Sequence, residues 1–359
     1  MGYWENKRNE LIEKLPTIMD VLDRLSYGEE KWALDKSPFR LLFPSYAQDG
    51  LFEIVPGPED KDRLIPCSLS FNCYYRGESG YHKPCRPSLY RKGMDAEHIF
   101  HECLKACELE LLISDYPLTK IFDSGLQITL RNGSIYPLKL SIDAEALAQH
   151  YGIKTDLLDL TVDKFVAAFF ATTRYKDGKY YPIEPKDPEY GVIYMYSDFP
   201  FDGKDMYSQH MRVVGLQPFS RPGEQAGFVL RLGPEDDFRK KACQKIKFRQ
   251  DKDMSWLIFN YTNRSGKLFS KSILEKKANI IINSKFYSKQ ALELCKSRYY
   301  PDVELDELKS YIDKLHLKIK NHPPVKFTEV EKRNVIKEWD ESGFDEFRKK
   351  VIWRETFKA

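Results

Sequence analysis

No Cys-x-x-Cys pair, no apolar run long enough to cross a bilayer and no glycine-rich phosphate loop occurs in this sequence of 359 residues. Each absence removes a class of protein. The seven cysteines, Cys67, Cys73, Cys85, Cys103, Cys107, Cys243 and Cys295, are odd in number and scattered, which predicts reduced thiols rather than a disulfide framework or a zinc site. The apolar stretches fall far short of the roughly 20 residues a spanning helix needs. Without Gly-x-x-x-x-Gly-Lys or Gly-x-Gly-x-x-Gly, a P-loop or Rossmann enzyme is disfavoured. Without Gly-x-Ser-x-Gly there is no serine nucleophile elbow. A dominant charge is missing as well: Lys and Arg total 57 against 54 acidic residues, a net of +3. A local basic face is compatible with that balance, but the chain as a whole does not advertise a nucleic-acid binder. The first residues, MGYWENKRNELIEKL, are charged where a signal peptide is apolar, and Asn6 stands where a myristoylation signal has Ser or Thr. A soluble, cytoplasmic protein without a membrane partner is expected.

What is present fits a globular chain, with 42% hydrophobic and 14% aromatic residues. Apolar spacing predicts a helix over 5–26, followed by a Pro/Gly-rich connection that includes 55–63 and a strand in CSLSFNCYYRG. A helix starts near Asp95 and stops before Pro117, and RNGS at 131–134 offers a hairpin turn within 124–140. A helix at about 143–150, the apolar strand TDLLDLT and the buried-looking helix VDKFVAAFFATTRY follow. YGVIYMYS and QAGFVLRL read as strands, while WLIFNY and ANIIIN are short apolar segments in a polar region. The fold class is α+β, a mixed or antiparallel core of short strands flanked by helices. Three regions are expected: an N-terminal helical region and linker over 1–60, a core domain over 61–235 and a mainly helical region over 236–359.

Arg76 ends an apolar strand and is followed by Gly77, which permits a close approach or a positive φ. An arginine fork in that place either grips an anion or pairs with a carboxylate. Asp159, inside the apolar run LLDLT, needs a partner because an unpaired buried carboxylate is costly, and Arg76 is the candidate. His150, Tyr151 and Gly152 read as a helix C-terminus, with Gly152 at the residue after the cap and His150 complementing the helix dipole. The helix end accounts for these residue types without a ligand, although an imidazole and a phenol there are also suited to stack on a ligand ring and to bond a ribose. Thr161 stands where a helix N-cap would stand.

Four blocks occur in order: YYRGES, RPSLYRKG, LAQHYGIKTDLLDLTVDKFVAAFFATT and GEQAGFVL. On these blocks the chain, over about 68–230, resembles the FRG family, named for its Phe/Tyr-Arg-Gly opening. It departs from the family pattern at Asp156, where arginine is usual, and at Leu160, where tryptophan is usual. The Tyr-Arg-Gly entry is also similar to that of arginine-type ADP-ribosyltransferases, whose first strand ends in an arginine that contacts NAD. That second resemblance implies an ADP-ribosyltransferase-like core and a nicotinamide cleft touched by Arg76, Gly77, His150, Tyr151, Thr155 and Thr161. It further implies that Gln225 or Glu224 steadies the ribose, with Asp159 behind Arg76. Gln225 departs from the glutamate usual in active transferases, and strand alternation before Gly227 sends Glu224 and Gln225 to opposite faces.

The reading that follows is a nucleotide-binding protein with NAD as its substrate and no metal. It would be an ADP-ribosyltransferase or NAD glycohydrolase, acting as a toxin or antiphage effector on a protein or nucleic-acid acceptor. The rival is a non-catalytic module for nucleic acid or a nucleotide signal, using the basic run 239–252, which otherwise reads as a solvated helix face. His98, His101 and Glu102 share a helical spacing, but their order is not that of a His-Glu-x-x-His site and a solvated or packed helix face is the simpler reading. The tail EFRKKVIWRETFK reads as a helix packed on the body.

Overall fold

The computed structural model describes residues 3–35, 51–67, 73–91, 93–129, 133–197, 211–262, 266–269 and 272–352. The single N-terminal helix expected over 5–26 is two helices, α1 (Tyr3–Glu13) and α2 (Ile18–Asp35). Pro16 lies between them, and proline cannot supply the amide hydrogen an uninterrupted helix requires. Thr17 and Asp20 then restart the chain as a reciprocal cap: the Thr17 hydroxyl accepts from the Asp20 N–H, and the Asp20 carboxylate accepts from the Thr17 N–H.

Strands β1 (Phe52–Pro56) and β2 (Asp62–Pro66) pair antiparallel, and Val351–Ile352 adds to β1 in parallel. The entry strand β3 spans Cys73–Glu78; the first part of the strand expected there, 68–72, lies outside the described residues. Helix α3 (Ala96–Ser114) is capped by Asp95, as its sequence predicts. Strands β4 (Leu126–Thr129) and β5 (Ile135–Leu138) form the expected hairpin, though 131–132 of its RNGS turn lie outside the described residues. Helix α4 (Ala144–His150), strand β6 (Leu157–Thr161) and helix α5 (Lys164–Thr172) follow. Next come the hairpin of β7 (Thr173–Lys176) and β8 (Lys179–Pro182), then β9 (Tyr190–Ser197) and β10 (Met211–Val213). A short helix, α6 (Ser220–Glu224), leads into β11 (Gly227–Arg231), and β12 is Gln244–Arg249. The segments WLIFNY and ANIIIN lie in helices α7 (Lys252–Tyr261) and α8 (Ile273–Ile282).

The class is α+β. Its centre is a six-stranded sheet in the order β10-β11-β6-β3-β9-β12, antiparallel at every junction. Alternation along β3 and β9 sorts side chains to two faces. Tyr75 and Ile193 pack on α5 together with Val21 and Leu22 of α2 and Ile258 of α7. Tyr74, Val192 and Tyr194 face the other way, against Leu158, Phe228 and Phe238. A separate core gathers Phe100, Leu104 and Cys107 of α3 with Leu274 and Ile281 of α8 and with Cys295. The sheets draw on all three sequence regions: β12 lies beyond residue 235, and Val351 pairs with Phe52. No helix among the described residues is long and apolar enough to cross a membrane.

Candidate functional site

The two central strands of the sheet part company. β6 pairs with β11 along its whole length and β3 with β9 along its own, but β3 and β6 meet only where Tyr75 stands opposite Thr161. Beyond that pair Arg76–Glu78 and Leu158–Leu160 diverge and leave a wedge in the middle of the sheet. Arg76 fills its root: one Nη1 hydrogen goes to the carbonyl oxygen of Asp159 at 3.0 Å, a backbone group that a paired strand would have satisfied.

The carboxylate that holds Arg76 belongs to Glu78. Its Oε1 accepts from Nε at 3.1 Å and forms an ion pair with Nη2 at the same distance. The expected Arg76–Asp159 ion pair is therefore corrected, because positions i and i+2 of a strand share a face and Glu78 reaches the guanidinium first. Burial works against the charge on Arg76, but Glu78, with Asp159 nearby, outweighs it and holds the group firmly protonated. A guanidinium carries five N–H groups, so donors on the terminal nitrogens remain for a ligand.

Gly77 serves by close approach, without a positive φ. A Cβ there would lie 1.7 Å from the carbonyl oxygen of Ala167, so the missing side chain is what lets α5 sit down on β3. The Arg-Gly pair thus joins two functions: the arginine closes the wedge and the glycine admits the helix that walls it.

Asp159 projects its carboxylate to the opposite side of β6 from Leu158 and Leu160. Gln149 spans the gap between loop and strand, donating to Asp159 Oδ2 at 3.1 Å and accepting from Thr155 Oγ1 at 2.8 Å. Helix α4 ends as its sequence predicts: Gly152 takes φ +93°, the Ile153 N–H reaches the Ala148 carbonyl and the Gly152 N–H that of Gln149. That termination fixes His150 under the wedge with its side chain only 3% exposed. The dipole role expected for His150 needs a charged ring, and the structure opposes it, since burial pushes the imidazole pKa down despite the nearby Asp159. His150 Nε2 stands 3.8 Å from Asp159 Oδ1, too far for a hydrogen bond. Both atoms are buried without a partner, and so is Glu78 Oε2. A buried polar atom left unsatisfied costs about 1–3 kcal/mol.

Thr161 does not cap α5; Asp163 does, accepting from the N–H groups of Phe165 and Val166. The Thr161 hydroxyl instead donates to the Gln225 carbonyl at 2.7 Å and accepts from the Asp163 N–H. Glu224 ends α6 and Gln225 is its C-cap, so neither belongs to a strand and the expected alternation between them does not apply. Gln225 is buried, with its amide donating to the Leu268 carbonyl at 3.0 Å. Ala226, next in sequence, adopts φ +45°.

Arg76, Gly77, His150, Asp159, Thr161 and Gln225 line one cavity of about 290 Å³. Glu78, Phe170, Tyr180, Arg91 and His82 complete its walls and mouth. Tyr151, Thr155 and Glu224 are not among its lining residues. Tyr151 is buried behind the site, its hydroxyl 3.2 Å from Ser272 Oγ and its ring under the Arg221 guanidinium at 4.9 Å. Thr155 lines a smaller pocket of about 180 Å³ with Tyr90, Glu145 and Asp156. Asp156 pairs there with Arg231, so that departure from the family pattern lies outside the main cavity, while the other, Leu160, is among the residues that line it. Sequence reasoning missed Glu78, Gln149, Phe170 and Tyr180. Strand alternation from Arg76 carried the signal for Glu78; the others had none that spacing reveals.

The remaining candidates disperse. His98 binds its own cap residue Asp95, His101 Nε2 meets the Tyr287 hydroxyl at 2.8 Å and Glu102 holds Lys105. Among the described residues no group of His, Cys, Asp and Glu is placed to hold a metal ion. The basic run 239–252, expected as a helix face, includes β12, which borders the sheet and among the described residues pairs only with β9. Its lysines Lys245 and Lys247 alternate outward, the arrangement that protects an exposed sheet edge. The tail is helical over Phe344–Lys350 and then extends as the strand beside β1; residues 353–359 lie outside the described residues.

Residues 71–179 match the family model described as the FRG domain. The match takes in Arg76, Gly77, His150, Asp159 and Thr161, while Gln225 lies beyond it. Searches of curated proteins and of solved structures found no match.

Proposed function

We propose that the wedge between β3 and β6 binds a nucleotide-like anion, with NAD the candidate substrate for ADP-ribosyl transfer or NAD glycohydrolysis. In either reaction the bond from ribose C1′ to the nicotinamide nitrogen breaks, its electron pair leaves with nicotinamide, and C1′ bonds to the acceptor or to water. The convergence of Arg76, His150, Asp159, Thr161 and Gln225 on one cavity carries this reading. The unspent N–H groups of Arg76 suit a phosphate, Phe170 and Tyr180 offer aromatic faces to a ring, and Gln225 is the residue of the late segment that reaches the ribose. At about 290 Å³ the cavity takes a ribose-phosphate portion, with the rest of a dinucleotide at the mouth beside His82 and Arg91. A role as toxin or antiphage effector, and a protein or nucleic-acid acceptor, belong to the same proposal.

Incubating the protein with NAD and following nicotinamide release tests it, with Arg76→Lys as the control that keeps the charge and loses the fork. Turnover that falls at least about tenfold in the variant supports the reading. Turnover unchanged in Arg76→Lys overturns the assignment of the site. Steeply salt-dependent RNA or DNA binding with no turnover favours a non-catalytic nucleic-acid module instead.

A further inference from the structure

Three atoms around Arg76 are buried without a hydrogen-bond partner: Glu78 Oε2, Asp159 Oδ1 and His150 Nε2. All three residues line the same cavity. They differ in kind from the arginine, because two are carboxylate acceptors that repel a phosphate. A site built for an anion alone gains nothing from them. A hydroxyl satisfies them directly: it donates its hydrogen to a carboxylate oxygen and accepts an N–H from a neutral imidazole protonated at Nε2. Asp159 Oδ1 and His150 Nε2 stand 3.8 Å apart, a separation that a single oxygen seated between them bridges with two ordinary hydrogen bonds. Burial keeps the imidazole neutral and so leaves it the single ring hydrogen this arrangement uses.

We infer that Asp159 and His150 grip one ribose hydroxyl and Glu78 accepts from a second, so that the cavity selects a ribonucleotide over its deoxy counterpart. The inference rests on the anion-binding reading above and adds the sugar chemistry to it. Gln149 is the positioning residue, since its amide fixes Asp159 Oδ2 and thereby turns Oδ1 toward His150. Glu78 is positioned by its other oxygen, which Arg76 and the Cys85 thiol both engage, the thiol at 3.2 Å. The selectivity therefore comes from acceptors already oriented, and losing a ligand hydroxyl leaves one of them buried and unmet.

The test is calorimetric titration of the full chain with AMP, 2′-deoxy-AMP and 3′-deoxy-AMP. At least one deoxy ligand is expected to bind about tenfold or more weakly than AMP, and Asp159→Asn is expected to bring that ratio to within about twofold. Equal binding of all three overturns the inference and leaves the anion-binding reading standing. Absence of binding by AMP and by ADP-ribose overturns both. A full deoxy penalty retained in folded Asp159→Asn removes Asp159 from the hydroxyl site. The wild-type ratio decides the sugar preference even if the variant does not fold.

Discussion

Arg76 and Glu78 stand two residues apart on one strand, and a single carboxylate oxygen of the second holds the guanidinium of the first through Nε and Nη2 at 3.1 Å. The pair lies mostly inside the protein, with side chains 15% and 8% exposed. It stiffens the root of the wedge while leaving the outer edge of the guanidinium toward the cavity.

Removing one partner strands the other. Arg76→Ala is expected to cost about 3 kcal/mol, because Glu78 is left buried and uncompensated. Glu78→Gln, which keeps shape and the acceptor oxygen, is expected to cost less. Urea denaturation of the two variants checks the order, and equal losses would contradict the pairing.

Gly77→Ala forces a methyl group to within 1.7 Å of the Ala167 carbonyl oxygen. Backbone on both sides leaves little to yield, so α5 must lift from β3. A loss of about 3 kcal/mol or more is expected, read as a fall in the denaturation midpoint. A variant of wild-type stability would show that the helix does not sit as closely as described.

Ala226 sits at φ +45° between Gln225 and the start of β11. Glycine adopts that conformation without the side-chain penalty, which is about 1 kcal/mol for other residues. Ala226→Gly is therefore expected to be neutral or stabilising, against the usual destabilising effect of glycine elsewhere. Thermal melting of the variant tests it, and a clear drop in Tm would oppose it.

Burial pulls His101 down from its ordinary 6.5 to about 4, with Lys105 adding to the effect. The folded protein keeps the ring neutral while the unfolded chain binds a proton below about 6.5. The stability tied to His101 is thus fully present above that pH and is lost as pH falls toward 4. His150 acts with the same sign, its pKa lowered by burial. In His101→Gln the fall in stability between neutral pH and about pH 5 is expected to be shallower, by at most roughly 3 kcal/mol over the whole window. An unchanged pH profile would count against it.

Cys85 is buried and its thiol pushed up to about 12, first by burial and then by the Glu78 charge, against the opposing pull of Arg76. Cys243 is exposed. Iodoacetamide near neutral pH is expected to label Cys243 well before Cys85, since the thiolate is the reactive form. Peptide mass spectrometry of the native protein reads the order directly, and early labelling of Cys85 would reveal an open or charged site.

Much of the framework was legible locally. Asp95 and Gly152 announced helix ends through chemistry that operates within one turn, and the apolar run YGVIYMYS marked β9. Pro16 and Thr17 carried the break between α1 and α2, a signal that the continuing apolar spacing obscured. For Arg76 the sequence posed a choice between an ion pair and an anion grip. The structure combines a strut with unspent donors, and the strut is Glu78 rather than Asp159.

The sequence alone determined the class of fold and the family block, because caps, turns and alternation are properties of neighbouring residues. Tertiary structure decided the rest. That β3 and β6 touch at one residue pair, that α4 delivers His150 and withholds Tyr151, and that α6 brings Gln225 under Thr161 all depend on contacts between segments distant in the chain. Those contacts are set by how whole faces bury against one another, and no local pattern records them.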